Sequence, residues 1–237
     1  MHHYLRTMSA AFIAAFATTA AGSSVAPGLK ITIPGLGEAG RLPDKTAFCP
    51  PSTATEKNVS PPVSWSAGPD GTRSYVLLMT DPDVPKDFSQ INKSGVVIQS
   101  NDPRVSVFHW VLVDIPADLR SLAEGIESEG LVPHGKPVGE TAHGRRGANV
   151  YSSFLASDAE MAGTYGGYDG PCPPVNDERP HRYVLQVFAL DVPSLGLGGV
   201  FDGETVTKAM RGHILSTGIA TATYSLNPSI TRQQHGQ

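Results

Sequence analysis

Three residues have the types and settings needed to hold a proton beside an anion: Asp81, His109 and His181. Asp81 follows the apolar run Tyr75-Val-Leu-Leu-Met-Thr80, and each histidine stands at the entrance of an apolar stretch, Val105–Ile115 or His181–Asp191. Two imidazoles can donate hydrogen bonds and take up a proton, and a nearby carboxylate favours their charged form. Ahead of His181 lies Gly170-Pro-Cys-Pro-Pro174. Its prolines fix the backbone, while Gly170 and Cys172 keep N–H groups and Gly170 permits close approach of a ligand. These residues suit a site for a small anion.

The elements that must position them are strands. Tyr75–Thr80 is too short for a helix and apolar throughout, which predicts a buried strand that stops at Asp81-Pro-Asp-Val-Pro85, where two prolines interrupt a ladder. In Val105–Ile115, alternation places Val107, His109, Val111 and Val113 on one face and Phe108, Trp110 and Leu112 on the other. In the third strand His181, Tyr183, Leu185, Val187 and Ala189 oppose Val184, Phe188 and Leu190, with Arg182 and Gln186 the polar exceptions. Apolar residues on both faces predict inner strands of a layered sheet protein. Antiparallel pairing sets the exit of one strand beside the entrance of its neighbour, so Asp81, His109 and His181 can gather at one end, roofed by the Gly170 loop. Leu29–Ile33 and Ala222–Pro228 read as short strands, Ile126–Asn149 as loop, and Thr205–Ser216 as the clearest helix.

The 237 residues, 40% hydrophobic with a net charge of -4, suit one domain with one core and lack the basic footprint of a nucleic-acid binder. Residues 1–22 read as a secretory signal: a weakly basic start, an apolar run from Met8 to Ala21 too short to span a bilayer, then small residues. Residues 23–237 form the single domain, periplasmic or secreted. Cys49 and Cys172 would then meet an oxidising compartment, and the sequence leaves their pairing open. Two nucleotide-like motifs carry nothing. Gly35-Leu-Gly-Glu-Ala-Gly40 lacks the helix that must hold a pyrophosphate. Gly130–Lys136 has P-loop spacing but is followed by Pro137 where a hydroxyl must hold magnesium, so it reads as a surface loop.

Asp81-Pro-Asp-Val-Pro85, Phe108-His-Trp-Val111, Tyr168-Asp-Gly-Pro-Cys-Pro-Pro174 and His181-Arg-Tyr183, in this order, resemble the phosphatidylethanolamine-binding protein family and look most like its bacterial YbhB/YbcL-like branch. Ser60-Pro-Pro-Val-Ser-Trp65 and Tyr224-Ser-Leu-Asn-Pro228 are similar to that branch too, so the resemblance spans roughly residues 29–228. It implies a mainly β fold, a β-sandwich with a few short helices, one near the C-terminus. It also implies a small pocket for phosphate, acetate or phosphoethanolamine-like headgroups, formed by Asp81, His109, Gly170, Pro171 and His181, with Tyr183 beside them. Asn149–Gly167 is longer than in compact members.

These readings converge on a non-catalytic binding protein for a small phosphorylated or carboxylate ligand, with no cofactor. Its binding is expected to weaken as pH rises past about 6.5, the ordinary imidazole range. The first alternative is a regulator or inhibitor of an extracytoplasmic protein partner such as a protease; peripheral contact with lipid headgroups is also open. A hydrolase ranks lower, because there is no GxSxG elbow and Cys172 is flanked by prolines. Zinc could use two histidines and a carboxylate, but short-range pairs such as HxxxH are absent.

Overall fold

A computed structural model of the protein describes residues 28–128 and 130–235, so the expected signal segment, residues 1–22, lies outside the described residues. In chain order the strands are β1 (Ile31–Thr32), β2 (Val63–Trp65), β3 (Ser74–Pro85), β4 (Arg104–Pro116), β5 (Ser121–Leu122), β6 (Gly135–Lys136), β7 (Gly139–Thr141) and β8 (Gly144–Arg146). Helix α1 (Tyr151–Phe154) follows, then β9 (Thr164–Tyr165), β10 (Gly167–Tyr168), β11 (His181–Leu190), α2 (Gly203–Ala209), β12 (Ile214–Tyr224) and α3 (Pro228–His235). The main sheet runs β12-β11-β3-β4-β8-β7, with β10 also paired to β4, and a smaller sheet runs β1-β2-β5.

The predicted two-faced strands form the centre of this arrangement. Tyr75, Leu77 and Met79 of β3 pack with Leu185 and Val187 of β11 against Val63 and Trp65 of the smaller sheet. On the opposite face Val76, Leu78, Val111 and Val113 pack under Val206 and Met210 at the α2 end. Each fully buried side chain of this size contributes about 1.5–3 kcal/mol, so the two apolar stripes of β3 hold both layers to one sheet. The result is the expected β-sandwich with few short helices. The alternation predicted for β11 is the one observed, since Tyr183, Leu185, Val187 and Ala189 share one core and Phe188 and Leu190 the other.

Four elements depart from the sequence reading. First, β3 does not stop at Thr80; it continues to Pro85, with Asp81 paired to Val107 and Val84 to Val105 across an irregularity that absorbs Pro82. The prolines are tolerated because β11 pairs with β3 only as far as Thr80, leaving that edge without a ladder partner. Second, β4 carries two bulges. Met79 faces Trp110 and Thr80 faces Phe108, so His109 is the extra residue; Asp114, at φ 54°, lies in the other. The first bulge removes His109 from the stripe of Val111 and Val113 and turns it to the layer of Tyr183, whose ring centroid lies 5.2 Å away.

Third, the helix predicted over Thr205–Ser216 ends at Ala209. Asp202 caps its start by accepting from the Thr205 N–H, and the turn beyond it, with Gly212 at φ 83°, leads His213 and Ile214 into β12. The short strand expected at Ala222 is the end of this 11-residue strand, paired along β11 from Leu190 back to His181. Fourth, the 126–149 loop contains β6, β7 and β8, and Lys136 is no surface residue: its ammonium is buried 2.5 Å from the Asp169 carboxylate. Gly35–Gly40 is a turn with one short 3-10 segment, as read. Among the described residues no helix is long and apolar enough to cross a membrane.

Candidate functional site

The site forms where β11 parts from β3. Their ladder ends at the Val184–Thr80 pair, and from there side chains replace backbone bonds. His181 Nδ1 meets Asp81 Oδ2 at 2.7 Å. The Arg182 guanidinium and backbone N–H both donate to Asp83, which Arg179 also contacts at 3.0 Å. Burial alone would raise the Asp83 pKa, but the Arg182 and Arg179 hydrogen bonds outweigh it and hold the carboxyl at about 2. The parted strands are thus closed by fixed charge pairs beneath the opening.

His181 is held from both sides. Its Nε2 lies 3.2 Å from Asp177 Oδ2, and Asp177 in turn receives Arg104 Nη1 at 2.5 Å. Burial opposes a charge on the imidazole, yet hydrogen bonds to Asp177 and Asp81 prevail and raise its pKa to about 9. Burial likewise raises Asp177, and the His181 and Arg104 hydrogen bonds reverse that and bring its pKa below the usual carboxylate value. At neutral pH His181 is therefore an imidazolium with both N–H groups given to carboxylates. It has no donor left for a ligand and no lone pair for a metal. Among the described residues no group of three or more His, Cys, Asp or Glu is arranged to hold a metal ion.

His109 behaves differently. Its Nδ1 lies 2.8 Å from the Asp169 carbonyl, which can only accept, so Nδ1 carries the proton. Burial lowers its pKa more than the nearby Asp81 charge raises it, which keeps the ring neutral and leaves Nε2 an unprotonated nitrogen. This corrects the sequence expectation that Asp81 would favour the charged form of both rings. Beside it, the buried hydroxyl of Tyr183 makes no hydrogen bond of ordinary geometry among the described residues. Burial, then the adjacent Asp81 charge and the contact of the hydroxyl with that carboxylate, raise the phenol well above its usual pKa.

Asp81, His109, His181 and Tyr183 together line a cavity of about 610 Å³. Gly170 and Pro171 do not line it. The Gly170 N–H is taken by Asn58 Oδ1 at 2.9 Å, its carbonyl accepts from Tyr151, and a β-carbon there would collide with the Thr46 carbonyl. The Pro171 carbonyl accepts the Phe48 and Cys49 N–H groups. Both residues therefore brace the wall from behind. Cys49 and Cys172 are joined by a disulfide that fastens this wall, with both cysteines at the cavity surface.

Sequence reasoning missed Asp177 and Arg104, which orient His181, and the aromatic wall of Phe48, Phe88, Tyr151 and Phe154. An aspartate four residues before His181 gave the only local signal, and the proline-rich surround hid it. Tyr151 and Phe154 come from the long Asn149–Gly167 segment, which the structure brings to the cavity as α1.

The family model for the phosphatidylethanolamine-binding protein matches residues 23–225. The chain is 33% identical over 165 residues to a UPF0098 protein of Aquifex aeolicus, covering 69% of this chain and 72% of that one. It is 30% identical over 168 residues to UPF0098 protein YbhB of Escherichia coli, covering 71% and 82%. Among solved structures, a phosphatidylethanolamine-binding protein homologue from Chlamydia trachomatis superposes with TM-score 0.56 at 25% identity, over 84% of this chain and 97% of the other. Escherichia coli YbcL superposes with TM-score 0.59 at 22% identity, over 84% and 99%, and shows the shared fold. The chain belongs to the phosphatidylethanolamine-binding protein family, alongside the bacterial YbhB and YbcL proteins.

Proposed function

We propose that this chain is a non-catalytic binding protein whose cavity holds a small phosphorylated or other anionic ligand, in the periplasm or outside the cell. One observation carries the reading. On the cavity lining, His109 Nε2 is the free nitrogen of a buried ring, and the buried Tyr183 hydroxyl beside it has a contact with Asp81 that falls short of full hydrogen-bond geometry. A buried hydroxyl with only a poorly aligned partner forfeits part of the about 1–3 kcal/mol that a well-placed acceptor such as a ligand oxygen restores. His109 becomes a second donor by taking up a proton as the anion enters. The Cys49–Cys172 bond supports an oxidising compartment.

Turnover has less to work with. The Cys172 sulfur is bonded to Cys49, and Asp81 is committed to His181 Nδ1 and the Asp83 N–H. Neither is poised as nucleophile or general base. The test is calorimetric titration of inorganic phosphate and phosphoethanolamine into wild type and His109→Ala. The reading expects saturable binding that the variant loses; equal affinity in both proteins contradicts it.

A further inference from the structure

We infer that the cavity is shaped for an anion carrying an aromatic ring, an aryl phosphate rather than bare phosphate; this rests on the anion-binding reading above. Size is the first reason. At about 30 Å³ per water-sized group, a phosphate occupies a small part of the 610 Å³ available. The polar groups on its lining, the free His109 Nε2 and the loosely held Tyr183 hydroxyl, account for the head of a ligand and leave the rest of the volume to a body.

The wall chemistry says what kind of body. Aromatic rings run without a break from mouth to floor. Phe88 and Phe154 meet edge to face at 5.7 Å, Phe154 meets Tyr151 at 6.2 Å, and Tyr151 stacks on Phe48 at 4.1 Å. Tyr151 then meets His109 at 5.7 Å, and His109 meets Tyr183 at 5.2 Å. Phe88 and Phe154 remain 53% and 43% exposed, so the protein does not cover its own outermost pair. Ring edges and faces already set at these spacings favour another planar ring over a flexible chain.

The mouth is also rigid. The Phe88 loop is tied to the 174–178 segment by Asn92 and Asn176: Asn176 Oδ1 accepts the Asn92 N–H, and Asn92 Oδ1 accepts the Val175 N–H. Asn176 Nδ2 donates to the Gln90 and Val96 carbonyls. The next residue is Asp177, which holds His181 at the floor. Head and ring positions therefore share one frame, and little ordering remains to be done when a ligand arrives.

Inorganic phosphate, phenyl phosphate and cyclohexyl phosphate separate the contributions. Calorimetry on the wild type should give phenyl phosphate at least about tenfold tighter than inorganic phosphate and about fivefold tighter than cyclohexyl phosphate. In the double variant Phe88→Leu, Phe154→Leu, whose sites are exposed enough to fold normally, the phenyl-to-cyclohexyl ratio should fall toward one. Equal affinity for the two esters in the wild type, or a ratio unmoved by the variant, overturns the aromatic assignment while the anion reading stands. No binding by any of the three compounds overturns both.

Discussion

Asp81 and His181 form a buried ion pair 2.7 Å apart, at the point where their strands cease to share a ladder. The sequence suggests two equivalent imidazoles facing an anion. The structure makes them unequal: His181 is a fixed imidazolium locked between Asp81 and Asp177, and His109 is a neutral ring with one nitrogen to offer. Asp81, Asp177, His181 and Arg104 cancel in charge, so that quartet leaves the floor without net charge.

Stability should fall in alkali because of His181. Its folded pKa of about 9 lies above the ~6.5 of an unfolded histidine. The bound proton therefore contributes stability that is complete below about pH 6.5 and is lost as pH rises through 9. The contribution is on the order of 3 kcal/mol. Urea unfolding at pH 6 and pH 9.5, with histidine NMR to assign the proton, checks it; a His181 signal already neutral at pH 7.5 would contradict the assignment.

His109 should take up a proton when an anion binds. Its Nδ1–H is given to the Asp169 carbonyl, so Nε2 can donate only after protonation. Sulfate, which does not titrate near neutrality, isolates the effect. Calorimetry in two buffers of different ionisation enthalpy should show close to one proton taken up per sulfate at pH 7.5, with affinity falling as pH rises. Binding without proton uptake would show that His109 is not the donor.

The wall should depend on its disulfide. Cys49 and Cys172 are 123 residues apart in sequence, and closing a loop of that length restrains the unfolded chain by about 5 kcal/mol on the loop-entropy relation. Urea unfolding of the Cys49→Ser, Cys172→Ser double variant should show a loss of that order. A loss under about 1 kcal/mol would mean that the hydrogen bonds from Phe48 and Cys49 to the Pro171 carbonyl suffice to hold the wall.

Much of the fold was legible because period-2 apolar patterning is local. The faces of β11 and the buried run of β3 follow from it directly. What stayed hidden depends on distant parts of the chain. A period-2 count cannot see the bulge that rotates His109, because the extra residue is defined only against Thr80 and Met79 of the neighbouring strand. The prolines after Asp81 looked like a stop, but they cost little where β11 has already departed. The boundary between α2 and β12 was hidden by helical spacing that ran on through His213 and Ile214. Motif resemblance pointed to Gly170 and Pro171 at the site, yet their backbone groups are bonded to Asn58, Tyr151, Phe48 and Cys49, so they brace the wall without facing the cavity.

The central claim is that Tyr183 and His109 are left unsatisfied for a ligand, and Tyr183→Phe tests it most directly by two readouts on one protein. Removing a buried hydroxyl whose contact with Asp81 lacks good geometry should change thermal stability by no more than about 1 kcal/mol, while phosphate affinity measured by calorimetry drops about tenfold. A variant that binds phosphate as tightly as wild type, or that loses stability instead of affinity, would show that the hydroxyl serves the fold and would contradict the account.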